Sequence, residues 1–375
     1  MNIRTLDEGR RHKRELMIDE KAVSWLWVID YQMRIGTAEV RMAGIGGVNT
    51  EWKHRMKGYM RVLFEDTVRY MIEQGYDVSM LFGIDNFYTK FGYASCLPSH
   101  KQTVQTRDAE DACKVQSDAQ AYTLSALEPQ DMEAVLTLYN RNNAARTGTI
   151  VRAKEYFEKF TKGTWWGVPP DAFILKDEAG QVRAYAVLDK TDRAVNVVEA
   201  ETDDDALFGP LMAVFAKRAI EKRCGEITFY RPRDHAFAEY AQRFGCKWEI
   251  DCPKDGGGMM RILNLKSTFD KVRPDLERRM AAAAGHAPTG RLAIETDVGA
   301  MTLSTNNGML SLDFEPPAQA DLVLSQDKLT QMLVGYRRPG DVLNDPDVRA
   351  TGDAHAWLDV LFPTCQAYVW SADHF

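Results

Sequence analysis

Two short segments carry residue types whose spacing could do chemistry. Residues 48–61 read VNTEWKHRMKGYMR, placing Lys53, Arg55, Lys57 and Arg61 together in an otherwise acidic chain. Arg55, Met56, Lys57, Gly58, Tyr59 and Met60 precede or open a helix. The first backbone N–H groups of a helix lack intrahelical partners and sit at the positive end of its dipole. Gly58 lets an anion approach that backbone closely, so the segment outlines a pyrophosphate cradle. Taken alone, a basic run of this kind reads more readily as a solvated loop. It contains neither GxxxxGK[ST] nor GxGxxG, which disfavours a nucleotide-binding site of either type. The second segment, residues 83–95, reads GIDNFYTKFGYAS and sets Tyr88 ahead of Phe91, Gly92 and Tyr93. A phenol is a weak acid near pH ~10, suited to returning a proton to a thiolate leaving group. A lone tyrosine also reads as a core aromatic whose hydroxyl finds a backbone acceptor.

The neighbouring periodicities say what must hold these residues. Residues 24–35, rich in Trp, Val, Ile and Tyr, predict a strand, and 40–48 (VRMAGIGGV) a second that ends in glycines. Met60, Leu63, Phe64, Thr67, Val68 and Met71 recur at spacings of three and four, the apolar face of a helix ended by Gln74-Gly75. Residues 78–83 predict a third strand, and 86–91 a short helix stopped by Gly92. The polar stretch 106–120 reads as a connection. A second block opens with the apolar run 121–127 and contains a turn at 255–258 between two strands. The third begins with a helix over 267–284, broken at 285–290, followed by alternating runs at 291–295, 300–303 and 309–314. A strand at 321–324 leads to Ser325, placed as N-cap of a helix carrying Leu329, Met332 and Leu333. Trp357, Leu358, Val360, Leu361 and Phe362 form a last apolar cluster.

Composition bounds the function. The 375 residues are 45% apolar and 27% charged, which is globular rather than disordered. A net charge of −7 excludes a strongly basic nucleic-acid footprint at the level of the whole chain. No apolar stretch approaches the ~18 residues of a membrane span, and the charged start lacks the apolar core of a secretory signal. These features predict a cytoplasmic protein. The six cysteines are scattered without CxxC and predict free thiols; the seven histidines form no HxxxH or HxH, and no metal site is expected. Cys96, just past the Tyr88 element, has no basic partner in sequence and reads as a protonated, inert thiol.

Taken in this order, the two segments resemble the GNAT superfamily of acyl-CoA-dependent N-acyltransferases. The family's R/Q-x-x-G-x-G/A motif is similar to Arg55-Met56-Lys57-Gly58-Tyr59-Met60, with Met60 in place of the last small residue. Its Tyr-to-Gly-aromatic element is similar to Tyr88-Thr89-Lys90-Phe91-Gly92-Tyr93. The chain resembles more closely the enhanced-intracellular-survival subfamily of multi-acetylating transferases, through His54-Arg55-Met56-Lys57-Gly58-Tyr59 and the aromatic end Trp370-Ser371-Ala372-Asp373-His374-Phe375. That resemblance implies an α/β (α+β) protein of tandem GNAT folds with mixed central sheets flanked by helices. A catalytic domain would span 1–115, a degenerate GNAT-like domain 116–265 and a sterol-carrier-like α+β domain 266–375. It implies an N-acetyltransferase using acetyl-CoA as co-substrate, without a metal, and direct attack of a primary amine of a small molecule or a lysine on the thioester. The backbone of Val48, Asn49 and Thr50 would hold the pantetheine arm, a backbone N–H near Val48 would polarise the acetyl carbonyl, and Arg55 to Met60 would take the pyrophosphate. Tyr88 would protonate the departing thiolate. The terminal carboxylate of Phe375 would be the base, with Asp373 and His374 as rivals. A homo-oligomer, trimer or hexamer, is implied as well.

The chain departs from that pattern in three places. Only 24 residues precede Trp25, where the family has a strand, two helices and another strand. The middle block has Glu199, Glu201, Asp203, Asp204 and Asp205 where its cradle would fall, and carboxylates repel a pyrophosphate. With Tyr240 to Gly245 echoing the Tyr88 element, that block reads as a catalytically silent copy. The tail 366–375 is long and aromatic, which leaves open whether its carboxylate reaches Tyr88. The rival reading is a lipid- or acyl-CoA-binding protein on a silent GNAT scaffold. A transferase of longer acyl chains is another. Aminoglycosides, polyamines and lysine side chains all suit an acidic protein as acceptors.

Overall fold

The computed structural model describes residues 1–115, 122–157, 160–306, 309–352 and 354–375. The first seven strands are β1 (Asn2–Glu8), β2 (Arg11–Ile18), β3 (Lys21–Ile35), β4 (Ala38–Thr50), β5 (Val78–Gly83), β6 (Ala94–Leu97) and β7 (Ser99–Gln105), with helix α1 (Tyr59–Glu73) between β4 and β5. The short helices α2 (Thr106–Ala109) and α3 (Asp111–Val115) follow. The middle of the chain supplies β8 (Thr123–Ala126), α4 (Met132–Asn142), β9 (Pro170–Lys176), β10 (Val182–Asp189), β11 (Val195–Thr202), α5 (Phe208–Glu221), β12 (Glu226–Phe229), α6 (Ala236–Ala241), β13 (Lys247–Asp251) and β14 (Gly257–Ile262). The last part contains α7 (Leu265–Ala282), β15 (Gly290–Thr296), β16 (Gly299–Asn306), β17 (Met309–Asp313), β18 (Leu322–Val323), α8 (Gln326–Leu333), α9 (Pro339–Leu343), β19 (Arg349–Ala350) and α10 (Ala354–Leu361).

These strands form three mixed sheets, ordered β1-β2-β3-β4-β5-β14-β6, β13-β7-β12-β11-β10-β9-β8 and β17-β16-β15-β18-β19. The α/β class expected from the sequence is the one observed. The chain exchanges a strand in each direction. β7 lies in the second sheet between β12 and β13, and β14 returns to the first sheet between β5 and β6. Both exchanges pair strands across the boundary drawn at 115, whereas the described strands after 265 pair only with one another. Linear periodicity shows that a strand exists, not which edge it will join.

Leu63, Phe64, Val68 and Met71 of α1 pack on one face of the first sheet, against Leu26, Val28, Ala43, Ile45 and Leu81. The opposite face, through Met42, Met80 and Met260, packs against Phe269, Val272 and Leu276 of α7 and against α8. On the second sheet α5 covers one face and α4 the other, where Tyr368 and Trp370 of the carboxyl-terminal tail join the core.

Several local readings change. β1 and β2 occupy a charged start that shows little apolar signal: β1 is largely exposed, and β2 buries Arg14 and Glu15 beside Leu16 and Met17. α2 and α3 lie where a connection is expected; Thr106, Ala109 and Ala112 are buried, the two alanines in the α5 core. Residues 116–120 of that connection, and Ala121 at the start of the second block, lie outside the described residues. Ser325 stands at the N-cap of α8, but its side chain makes no capping bond; Asp297 Oδ1 accepts from the Gln326 N–H instead, at 2.6 Å.

Candidate active site

The first sheet opens where its two central strands stop pairing. β4 and β5 run parallel from Met42 opposite Val78 to Ile45 opposite Leu81, and no pairing is recorded beyond. β4 continues through Gly46, Gly47 and Val48, where the register against β3 shifts by one residue between Trp25 and Trp27. This is a β-bulge, which leaves ladder groups free and re-aims the strand. Gly47 has φ +58°, and a Cβ on it would stand 2.8 Å from Trp27 Cδ1. Glycine is therefore required there on both backbone and packing grounds.

Beyond the bulge, Asn49 and Thr50 remain paired with Trp25 and Ser24. The chain then turns through the 3-10 helix Trp52–His54 into α1. Gly58 is the N-cap of α1 at φ +79°; no side chain caps the helix and its first turn holds no acid. A Cβ on Gly58 would meet nothing within 4 Å. The N-terminal N–H groups of α1 are thus open to an anion, with exposed Lys57 and Arg61 beside them. Met60 leaves this cradle clear: its side chain is half-buried and packs on the α1 core. Arg55 is turned back, its Nε–H donating to the Thr50 carbonyl at 3.2 Å while its guanidinium lies 4.9 Å from the Trp52 ring.

Tyr88 opens the 3-10 helix Tyr88–Phe91 after β5, and a Cβ on Gly83 would stand 2.8 Å from its ring. The ring is 7% exposed and leans on Phe64 at 5.5 Å. Burial pushes its phenol up to about 12. Its hydroxyl has no hydrogen-bond partner among the described residues and is not a fully buried atom, so it meets solvent. Tyr93 differs: its buried hydroxyl donates to Ser79 Oγ at 2.7 Å. Cys96 is wholly buried and its thiol is pushed up, which leaves it protonated.

The carboxyl terminus meets the first sheet beside this opening. A Cβ on Gly46 would stand 3.1 Å from the carboxyl carbon of Phe375 and 3.5 Å from an oxygen. The Phe375 ring stacks on Tyr31 at 5.2 Å, and the ring of His374 stacks on Phe82 at 3.8 Å. Before it reaches Gly46 the tail packs Tyr368 and Trp370 into the core of the second sheet.

What anchors it escaped the sequence reading. Arg152, wholly buried, donates through Nε and Nη2 to Asp373 at 2.9 Å each, and through Nη1 and Nη2 to Glu199 at 2.7 and 2.8 Å. Tyr139 donates to Asp373 Oδ2 at 3.1 Å and Tyr185 to Glu199 Oε1 at 2.5 Å. Burial works against the guanidinium charge, but Asp373 and Glu199 outweigh it and hold Arg152 charged. The indole N–H of Trp370 donates to Asn143 Oδ1 at 3.0 Å. Asp373 is thus held in an ion pair, and desolvation lowers the half-buried His374 imidazole to about 3, so neither suits the role of rival base. Two carboxylates inside the apolar run VVEAET were the available signal, since buried charges must find partners. Asp204 accepts from the Ala206 N–H at 2.9 Å ahead of α5, and Asp203 pairs with Arg183 at 2.8 Å. The acidic stretch therefore supports tail and helix in the second sheet.

Residues 8–96 match the acetyltransferase (GNAT) domain family, which is less than half of the chain. No curated protein sequence matches. Among solved structures, the chain is similar to a conserved protein of unknown function from Enterococcus faecalis V583 titled a probable N-acyltransferase (TM-score 0.78, 15% identity, 98% of this chain and 90% of that one). It is similar to a GCN5-related N-acetyltransferase from Anabaena variabilis ATCC 29413 (0.73, 17%, 97% and 89%) and to Eis1 from Mycobacterium abscessus (0.65, 16%, 99% and 91%). At these identities the structures establish a shared fold over nearly the full length. The first sheet thus carries a GNAT acetyltransferase domain, the domain of an acyltransferase enzyme.

Proposed function

We propose that the protein is an acetyl-CoA-dependent N-acetyltransferase that acetylates a primary amine directly. The observation that carries this reading is the seating of the Phe375 carboxyl group against Gly46, at the mouth between β4 and β5, on the strand that leads to the open start of α1. Bound acetyl-CoA would supply an activated thioester there. The uncapped α1 turn with Lys57 and Arg61 suits its pyrophosphate, and the backbone of Val48 to Thr50 its pantetheine arm. A backbone N–H freed at the bulge near Val48 donates to the oxygen that gains charge. The Phe375 carboxylate accepts the proton that the amine nitrogen loses as its bond to carbon forms. Tyr88 gives a proton to the sulfur as its bond to carbon breaks, so one proton is taken up and one delivered. Retaining the phenolic proton to about 12 suits Tyr88 to that donation.

In this reading the second sheet is the silent copy of the first, its helix entry occupied by Asp204. The third sheet with α7 to α10 is the sterol-carrier-like domain, whose buried Leu329, Met332, Trp357 and Phe362 form packed core. Calorimetric titration of acetyl-CoA tests the assignment: one site per chain is expected, weakened by the Lys57→Ala, Arg61→Ala double substitution. One residue added after Phe375 should then leave that affinity intact and lower kcat by roughly 10²-fold or more, the scale of general-base catalysis. Binding of a fatty acid with no acetyl-CoA heat would favour the carrier reading instead.

A further inference from the structure

The tail forms one wall of a cleft of about 570 Å³, lined by Tyr31, Tyr156 and Phe160 and ending on His374 and Phe375. Its rim carries charges of both signs. Glu8 and Glu155 are exposed there, with Arg11 exposed as well, and the Asp373 carboxylate is consumed by Arg152. Two cations lie further in. Arg10 stacks its guanidinium 3.4 Å over the Tyr156 ring and donates to the backbone carbonyl of Asp30. Lys162, buried, lies 3.5 Å over the Trp166 ring and donates to the His374 carbonyl, one residue from the chain terminus. Neither forms an ion pair with a side-chain carboxylate among the described residues. A cation held on aromatic faces and carbonyl oxygens has no carboxylate to satisfy it before an anion arrives, and an incoming carboxylate would offset the burial that lowers the Lys162 ammonium to about 8. A polycation would meet both of these charges on its way to the tail, against the acidic character of the whole chain.

We propose that this cleft selects a zwitterionic acceptor: an amine that also bears a carboxylate close by, on an aromatic or apolar body, as in an aromatic α-amino acid. The acceptor's amino group, having lost its ammonium proton to solvent, meets the Phe375 carboxylate as a neutral amine, its own carboxylate meets Lys162 and Arg10, and the body lies among Tyr31, Tyr156 and Phe160. This rests on the acyl-transfer reading above and adds the acceptor class.

The test compares L-phenylalanine, phenethylamine and spermine as acceptors for thiol release from acetyl-CoA, alongside calorimetric binding of L-phenylalanine to the CoA-loaded protein. The expected result is a kcat/KM for L-phenylalanine at least about tenfold above that for phenethylamine, the scale of one charge-assisted hydrogen bond. Arg10→Gln and Lys162→Met should each shrink that ratio. A merely structural loss would lower both substrates equally and leave the ratio intact, which would refute the assignment of those two residues. Phenethylamine or spermine matching or exceeding L-phenylalanine overturns the zwitterionic acceptor while leaving acyl transfer standing. Saturable binding of L-phenylalanine without thiol release sustains the site and removes the transfer reading. Absence of both binding and turnover overturns the inference.

Discussion

Substitution of Gly44 by alanine perturbs the tail without touching a reacting group. Gly44 faces the tail from β4, and a Cβ there would lie 2.8 and 2.9 Å from two ring carbons of Phe375 and 3.0 Å from Tyr31 Cε2. Carbon atoms prefer about 3.5–4.0 Å, so the Phe375 ring must retreat by roughly 0.7–1 Å. Overpacking of this kind costs about 1–3 kcal/mol. If that cost falls on seating the tail, the seated population drops by about fivefold to 150-fold. A displacement of about 1 Å in a catalytic group costs rate on the same scale. The expected outcome is a matching fall in kcat/KM for thiol release with a working amine. Acetyl-CoA affinity measured by calorimetry should hold, because the cradle at α1 lies beyond the bulge. Trimming the ring in the double variant Gly44→Ala, Phe375→Leu should recover part of the rate. Gly44→Ala activity within twofold of the parent would refute the idea that catalysis depends on where Phe375 is seated.

Tyr88→Phe should lower kcat about 10²-fold with little change in acetyl-CoA affinity, read by steady-state kinetics beside calorimetry. Because the phenol keeps its proton to about 12, the parent's kcat should show no alkaline limb owed to Tyr88 below pH 10. Arg152→Met strands Asp373 and Glu199 without their cation and should destabilise the protein by about 3–5 kcal/mol, measured by denaturant unfolding. His374 sets an acid limit. Its folded value near 3 lies below the unfolded 6.5, so the unfolded chain binds the extra proton between them and stability falls as pH drops below 6.5. At pH 5 that amounts to about 2 kcal/mol, and His374→Phe should flatten the profile.

Local readings carried well wherever a segment's neighbours in sequence are its neighbours in space. The apolar face of α1 and the extent of β5 could be read from spacing alone, and so could Gly58 at an uncapped helix start. Gly47 could be singled out as a glycine in a strand, but its left-handed φ against Trp27 is a property of the β3–β4 register. Ser325 satisfied the residue-type rule for an N-cap and was displaced by Asp297, brought in from the β15–β16 turn. Such a competitor is invisible to a window of a few residues.

The chain's own sequence determined the chemical vocabulary of the candidate site: an anion-ready helix start, a phenol after a parallel strand, and an aromatic run that includes Phe375. These depend on residue type and on spacings shorter than a helical turn or a strand. The tertiary structure alone decided which of them meet. The exchange of β7 and β14 ties the first two sheets together, and Arg152, contributed far from the terminus, draws Asp373 inward and delivers Phe375 to Gly46. The physical reason is that burying a charge makes sense only with its partner in place, and that partner is chosen by packing across more than two hundred residues of chain.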